Sequence, residues 1–268
     1  MRVAIWDHLP KELFAGPGRG VKGPVEFLPV PQTQASVLLD EGEFDAALLP
    51  TLTILQQPDA YDVFPAVGFS SWDYPFAQLL LEGPLGSEVH VLGYESGHEM
   101  EAVVSRAVLR EHYGSEVETQ TADANISGEH VDASVRVGPH RKPTAGGFAM
   151  DLGREWFELA NYPMVWGLFA TGKGNGTQGT IRMLRDAVIR LDDLRQMRAR
   201  SVEDDVVRDF LENQVRLRVD DLAVASLTEL SSYVYYYGAV PEIRNVPFIS
   251  IEDEDEDTAD DGSDDLLP

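Results

Sequence analysis

The segment from Asp151 to Phe169 (DLGREWFELANYPMVWGLF) constrains the fold more than any other part of the chain. Asp151 is placed to cap a helix, and the short amphipathic stretch after it carries Trp156 on its apolar face. Pro163 ends this helix because proline lacks an N–H and crowds the preceding turn. The apolar run 164–169 predicts a strand buried on both faces. The segment therefore predicts a helix that leads directly into the interior of a sheet.

The rest of the chain alternates predicted strands and helices. Residues 2–6, 25–29 and 45–49 predict strands, and 33–41 predicts a helix that ends at Gly42. This βαβ order is typical of a parallel sheet. The remaining predicted elements are strands at 89–92, 117–120 and 133–137 and helices at 100–113, 181–197, 202–217 and 222–237.

The charge balance narrows the possible partners. The 268 residues include 46 acidic and 21 basic side chains, which gives a formal net charge of -25. Such a field repels nucleic acid and anionic membranes, so we expect neither as a partner. No stretch reaches the roughly 18 apolar residues of a membrane span. An acidic, lysine-poor surface is typical of a protein adapted to high salt, and it also fits an ordinary acidic cytosolic protein.

Two further features bear on redox chemistry and location. Cysteine is absent, which excludes disulfides, thiolate metal sites and a cysteine nucleophile. The first residues, MRVAIWDH, are too polar and too short for a signal peptide, so we expect a cytoplasmic protein. Residues 251–268 are rich in Asp and nearly devoid of apolar side chains, and we expect an acidic disordered tail there.

Four segments, in order along the chain, resemble those of a known family. Residues 42–50 (GEFDAALLP) are similar to G-E-V-D-V-A-L-V-P, and residues 64–71 (FPAVGFSS) are similar to V-P-G-V-G-I-S-S. Residues 151–169 are similar to D-L-G-x-x-W-x-x-x-T-x-L-P-F-V-F-A-x-W. Residues 209–217 (DFLENQVRL) are similar to Y-x-x-x-x-I-x-Y-x-L. The chain thus resembles the chorismate dehydratase family of menaquinone biosynthesis, which works in the futalosine route.

The resemblance implies the type II periplasmic-binding-protein fold, an α/β architecture of two lobes with mixed sheets flanked by helices. It assigns residues 1–83 plus 169–250 to lobe I and 84–168 to lobe II, with Glu82-Gly83-Pro84 as a hinge. A small ligand is then expected between the lobes, at the carboxyl ends of strands.

The resemblance also implies a lyase that eliminates water from chorismate to give a 3-enolpyruvyl-oxybenzoate, without a metal or an organic cofactor. This reaction removes one proton, protonates one hydroxyl and requires two carboxylates to be held. The candidate catalytic residues are His8 and His98, because histidine titrates near neutral pH. The candidate ligand-binding residues are Ser70, Ser71, Trp72, Ser96, Gly97 and Arg136.

Each candidate also has a structural interpretation. His8 could be a structural histidine, and the loop 95–99 could be a helix cap with solvated acids. Trp72 and the aromatics after it could fill the lobe interface. Arg136 and the basic residues 140–142 could form a solvated loop rather than a site for a carboxylate or phosphate.

Four positions depart from the residues that the family carries in its ligand loops: Leu9, Ala77, Glu99 and Pro139. A carboxylate at Glu99 would repel an anionic ligand at short range, and together with Asp73 it favours a ligand less anionic than chorismate. This is the pattern of a retained fold with a rebuilt site. Two alternatives therefore stay open, a non-catalytic module that binds an aromatic or carboxylate-bearing small molecule, and the sister enzyme of the pathway that acts on a cyclic futalosine derivative.

Two other patterns are not predicted to be sites. Residues 172–180 (GKGNGTQGT) have Gly-x-Gly spacing but lack the Gly-Lys-Ser/Thr of a phosphate-binding loop, so they predict a loop before a helix. The histidines at positions 8, 90, 98, 112, 130 and 140 show no metal-ligand spacing, and the sequence predicts no metal site.

Overall fold

A computed structural model describes residues 1–15, 23–81, 88–122, 131–139 and 148–250. The predicted hinge Glu82-Gly83-Pro84, the basic residues 140–142 and the predicted tail 251–268 lie outside the described residues.

The first sheet has six strands in the order β11-β4-β10-β3-β1-β2. β1 is parallel to β2 and β3, whereas β10 runs antiparallel to β3 and β4, and β11 antiparallel to β4, so the sheet is mixed. Its strands are β1 (Arg2–Trp6), β2 (Glu26–Val30), β3 (Ala46–Pro50), β4 (Tyr61–Ser71), β10 (Met164–Gly172) and β11 (Val215–Arg218).

The second sheet has five strands in the order β7-β6-β8-β5-β9. β6 is parallel to β7 and β8, and β5 is antiparallel to β8 and β9. Its strands are β5 (Ala77–Leu81), β6 (Val91–Glu95), β7 (Glu118–Ala122), β8 (Ala133–Val137) and β9 (Phe148–Asp151). Below, lobe I means the first sheet with its helices, and lobe II the second.

Helices cover the sheets. They are α1 (Ala35–Asp40), α2 (Thr51–Gln56), α3 (Glu99–Tyr113), α4 (Leu152–Ala160), α5 (Gln178–Ala199), α6 (Asp205–Asp209) and α7 (Asp221–Tyr236), with a 3-10 turn at Gln32–Gln34 and a π-helical turn at Phe210–Gln214. None of the helices in the described part of the chain combines the length and the apolar content needed to cross a bilayer.

The prediction for residues 151–169 is confirmed. The Asp151 side chain accepts a hydrogen bond from Arg154 N at the start of α4, and Asn161 ends the helix in the left-handed conformation. β10 follows Pro163 and lies between β3 and β4, which explains why Met164–Thr171 are all buried. A central strand has neighbours on both edges and layers on both faces, so a continuous apolar run is what it requires.

The chain passes between the sheets at two neighbouring points. Ser71 at the end of β4 pairs with Met164 at the start of β10, and the chain leaves lobe I after the first and returns at the second. The predicted borders differ from this sheet membership, because β5 pairs in the second sheet and β10 begins before residue 169. A short apolar run such as 79–81 identifies a strand but does not identify the sheet that it joins. Sheet membership does not by itself define where one lobe ends and the other begins, so the lobe borders at 83/84 and 168/169 stay predictions.

The predicted helix 202–217 is wrong in its last part. α6 and the π-helical turn occupy residues 205–214, and β11 follows as an edge strand on β4. Val215 and Leu217 are buried while Arg218 is exposed, so the alternation of a strand overrides the helical spacing.

Candidate functional site

The two lobes meet at a group of polar side chains that lie at the carboxyl ends of strands. His8 follows β1, and Gln32 follows the parallel strand β2, so both reach the same edge of the first sheet. His98 occupies the N-cap position of α3 and Glu101 lies in its first turn, and α3 follows β6 of the second sheet. Tyr74 lies on the segment that joins β4 to β5. We call His8, Gln32, Tyr74, His98 and Glu101 the interlobe cluster.

His8 has an apolar and a polar contact in this cluster. Its ring stacks on Trp6 with the ring centroids 5.7 Å apart, and its Nε2 lies 2.6 Å from the Tyr74 hydroxyl. Burial, and to a lesser extent the charge of His98, lowers the pKa of His8 to about 3. The imidazole of His8 is therefore neutral at pH 7, and one ring nitrogen is free of a proton.

Gln32 and Glu101 join the two lobes through a buried hydrogen bond. Gln32 Nε2 donates to Glu101 Oε1 over 2.9 Å, and the two residues are 4% and 1% exposed. Gln32 Oε1 and Glu101 Oε2 are buried and have no hydrogen-bond partner among the described residues. Each such atom costs roughly 1–3 kcal/mol of stability. Burial raises the pKa of Glu101, although His98 and the bond from Gln32 act in the opposite direction.

Gly97 brings the loop before α3 against lobe I. It has a φ of 91°, and a Cβ there would collide with Thr33 Cγ2. Both facts require glycine at this position. The Gly97 N–H donates to Glu99 Oε1 over 2.9 Å, so this loop satisfies one of its free N–H groups with its own carboxylate.

Tyr74 is fixed from two sides. Its buried ring contacts Phe69, Trp166 and Phe210, with centroid separations of 5.3, 4.6 and 6.1 Å. Its backbone N–H donates to Asp151 Oδ1 over 2.6 Å, so the cap of α4 also holds the crossing segment. Burial raises the pKa of Asp151 to about 6, although the N–H groups of Tyr74 and Arg154 oppose the shift.

The structure brings the two predicted catalytic histidines into one cluster, whereas the predicted ligand-binding residues have different surroundings. Ser70 and Ser71 are buried at the end of β4, where Ser71 Oγ accepts from Trp166 Nε1 over 2.9 Å. Trp72 packs edge-on against Phe157 with centroids 5.0 Å apart. Ser96 is exposed in the loop before α3, and Arg136 is exposed on β8.

The four departing positions and Asp73 also have definite surroundings. Leu9 and Ala77 are buried in the core, and Pro139 is exposed. Glu99 bonds to the Gly97 N–H, and Asp73 forms an ion pair with Arg154. Both acids that disfavour an anionic ligand therefore have local partners in this structure.

Sequence reasoning missed Gln32 and Glu101. A signal for Glu101 was present, because residues three apart share a helix face and Glu101 is three residues after His98. No local signal marks Gln32, since its partner is 69 residues away.

A cavity of about 450 Å³ lies at the opposite end of β1 from His8. Its walls come from the starts of β1 and β3 and the end of β10, and include Met1, Leu39, Phe44, Asp45, Thr171 and Met183. It is a separate concavity and contains none of the interlobe cluster.

Among the residues that the structure describes, one group of side chains has the spacing to hold a cation. Ligand atoms of His112, Glu155 and Glu158 lie within 4.8 Å of one another where α3 packs on α4. His112 Nδ1 is 3.5 Å from Glu155 Oε2, so these two side chains contact each other directly. Spacing along the chain could not reveal the group, because two different helices supply it.

Solved structures define the class of protein. The chain superposes on protein AF1704 from Archaeoglobus fulgidus with a TM-score of 0.60 at 15% identity, over 89% of this chain and 98% of that one. It superposes on the periplasmic aliphatic sulphonate binding protein SsuA from Escherichia coli with a TM-score of 0.58 at 13% identity, over 99% and 98% of the chains. The Candida albicans CA3427 gene product, described as having the generic periplasmic binding protein fold, gives a TM-score of 0.56 at 15% identity, over 92% of each chain. The fold is that of periplasmic binding proteins, as predicted.

Sequence comparison then gives the family. The family described as menaquinone biosynthesis matches residues 24–236, and the chain belongs to that family. The predicted resemblance is confirmed at this level. No curated protein sequence matches the chain.

Proposed function

We propose that this protein is a chorismate dehydratase-like lyase that acts on a ligand held between its lobes. The observation that carries the proposal is the interlobe cluster, in which two histidines, a tyrosine and a buried carboxyl group meet between the lobes of a menaquinone-biosynthesis family member. These are the side-chain types that move protons in general acid–base catalysis.

The elimination of water needs a base for a carbon-bound proton and an acid for the leaving hydroxyl. His8 is neutral at pH 7, so its imidazole can accept the proton. Its low pKa makes it a weak base, and an anionic ligand beside it would raise that pKa. Ligand binding would thus activate the base. The proposal includes His98 in proton transfer, the six predicted ligand-binding residues as contacts, and neither a metal nor an organic cofactor.

A second candidate is a non-catalytic module that binds a less anionic small molecule. One observation favours it: the Gly97 N–H already bonds to Glu99, so this N–H is not free to hold an anion. A dianion such as chorismate would normally be held by a guanidinium group or free N–H groups. The sister enzyme that acts on a cyclic futalosine derivative is the third candidate.

The proposed setting is the cytoplasm, with a small aromatic or carboxylate-bearing molecule as the ligand and with neither nucleic acid nor membrane as a partner. The acidic net charge of -25 supports the exclusion of polyanionic partners.

The test is consumption of chorismate by the purified protein in low and in molar salt, with the product identified by mass spectrometry. We expect the dehydrated enolpyruvyl product and a decrease in kcat of at least about 100-fold in His8→Gln. His90→Gln is the matched control, because His90 is exposed and its ring lies beside the exposed Glu88. A folded wild-type protein that forms no product in either salt would reject the lyase. A co-purified or screened ligand would then separate the two other candidates.

A further inference from the structure

The bond between Gln32 and Glu101 is the part of the interlobe cluster whose polar atoms are least satisfied. Each side chain uses one polar atom to hold the other and leaves one oxygen without a hydrogen-bond partner among the described residues. Both residues are almost fully buried, and they come from different lobes. Both oxygens are buried in this structure, so a ligand reaches them only where the two lobes separate.

The chemistry of the two oxygens restricts what they can bind. The amide oxygen of Gln32 can only accept a hydrogen bond, and the carboxyl group of Glu101 accepts in its ionised form and donates in its protonated form. A ligand carboxylate would face acceptor atoms and be repelled, whereas a hydroxyl can donate to one oxygen and accept from the other. Burial raises the pKa of Glu101 and so shifts its carboxyl group toward the protonated form, which a neutral hydroxyl suits better than an ammonium group does.

We propose that Gln32 and Glu101 form the subsite for a ring hydroxyl of the ligand between the lobes, and that Glu101 protonates this hydroxyl as it leaves. The inference rests on the proposed lyase function and assigns its acid. Gln32 accepts a hydrogen bond from the hydroxyl through Oε1, and it positions the Glu101 carboxyl group through Nε2.

The proton balance of this step is complete. The carbon-bound proton passes to the His8 imidazole, and the electrons of the C–H bond form the new double bond. The C–O bond breaks with its electron pair on oxygen, which takes the Glu101 proton and leaves as water. His8 is then an imidazolium and Glu101 a carboxylate, and proton exchange with solvent restores both after the product departs.

The first test compares Glu101→Gln with the wild type in chorismate turnover. The amide keeps the shape of the carboxyl group and an oxygen for Gln32, but it has no acidic proton. We expect kcat to fall at least 100-fold and KM to change less than about threefold. Glu155→Gln is the matched control, because burial also raises the pKa of Glu155, but Glu155 is only partly buried and contacts His112 outside the cluster. A kcat within tenfold of wild type in a folded Glu101→Gln variant would reject Glu101 as the acid and leave the lyase function standing.

Gln32→Met provides a second, independent variant. It removes the amide but keeps the length of the side chain, so we expect KM to rise at least tenfold with a smaller loss of kcat. An unchanged KM would overturn the positioning role, and this variant keeps the proposal testable if Glu101→Gln does not fold.

A binding comparison separates failure of this inference from failure of the lyase function. Benzoate and 4-hydroxybenzoate, which differ by one hydroxyl group para to the carboxylate, are the probes in calorimetric titrations. We expect wild type to prefer 4-hydroxybenzoate at least tenfold, Glu101→Gln to keep that preference because its amide can still bond to the hydroxyl, and Gln32→Met to lose it. If wild type dehydrates no chorismate but shows this preference, the subsite stands and only the proton transfer is rejected. No preference in wild type, or no binding of either probe, overturns the subsite.

Discussion

Asp62 and Glu101 are both buried carboxyl groups, and their surroundings shift their pKa values in opposite directions. Asp62 is 6% exposed, accepts from the N–H groups of Gly174 and Gly176, and pairs with Lys173 Nζ at 3.0 Å. Burial works to raise its pKa, but Lys173 and the two N–H groups outweigh burial and lower it. Glu101 has one amide partner and an unpartnered oxygen, and its pKa is raised.

Asp151 resembles Asp62 in its backbone hydrogen bonds but resembles Glu101 in having a raised pKa. The comparison therefore shows which kind of partner lowers the pKa of a buried carboxyl group. It accepts two backbone hydrogen bonds, as Asp62 does, but the nearby Arg154 pairs with Asp73 instead. Its pKa rises to about 6, with burial as the main cause. At this site the N–H donors do not offset burial and the nearby charge of Asp73, whereas two donors and an ammonium group do offset burial at Asp62. A fully partnered carboxylate stabilises the fold, and an incompletely partnered one is available for chemistry.

The largest effect on stability is expected for Asp62→Asn. The amide loses the attraction to Lys173 and places N–H groups near other donors, so the free energy of unfolding should fall by about 2–3 kcal/mol at pH 7. Because the folded-state pKa of Asp62 is lowered, its stabilisation is present above about pH 4 and is lost as the pH falls further. Urea denaturation at several pH values measures this. Asp59→Asn, at an exposed neighbour, is the control, and a loss below about 0.5 kcal/mol at position 62 would contradict the comparison.

An intermediate effect of opposite sign is expected for Asp151→Asn. Asparagine still caps α4, and it removes a charge whose folded-state pKa is raised to about 6. The wild type is therefore destabilised relative to the variant as the pH rises from about 4 through 6, and the variant should be more stable by about 1–2 kcal/mol at pH 7.

The matched control for that comparison is Asp204→Asn at the exposed cap of α6, where we expect little change at any pH. A variant at position 151 that is less stable than wild type at pH 7, with no pH dependence of the difference, would show that the charge of Asp151 is needed as a cap.

The smallest effect on stability is expected for Glu101→Gln. Since the folded-state pKa of Glu101 is raised, its carboxyl group is best tolerated below about pH 4.5 and becomes costly as the pH rises. The variant should gain up to about 1 kcal/mol at pH 7 and nothing near pH 4. Thermal unfolding of the wild type and the variant at pH 4 and pH 7 tests this, and Glu155→Gln is measured under the same conditions for comparison. A clear loss of stability at pH 7 would mean that the ionised Glu101 supports the fold, as Asp62 does.

Much of the fold could be predicted because its signals are local. The cap at Asp151, the stop at Pro163 and the apolar run to Phe169 lie within one short segment, and each acts through its own backbone. The family segments likewise lie in continuous stretches. β11 was not predicted, because residues 215–218 become a strand only by pairing with β4.

The candidate site was predicted only in part, for the same reason. His8 and His98 could be proposed because each lies in a turn after a predicted strand. Gln32 and Glu101 could not be paired, since the docking of two lobes makes their contact. The meaning of Glu99 also changed, because only the folded loop shows that its carboxylate bonds to the Gly97 N–H.

The sequence by itself determined the family, the α/β class and the position of most helices and strands, because caps, proline stops and apolar periodicity act over a few residues. Tertiary structure alone decided which sheet β5 joins, where the chain crosses between lobes, and which buried carboxyl groups obtain a cation. These features depend on contacts between segments that are far apart in the chain. The pKa of a buried group follows from the charged and hydrogen-bonding partners that those contacts place beside it.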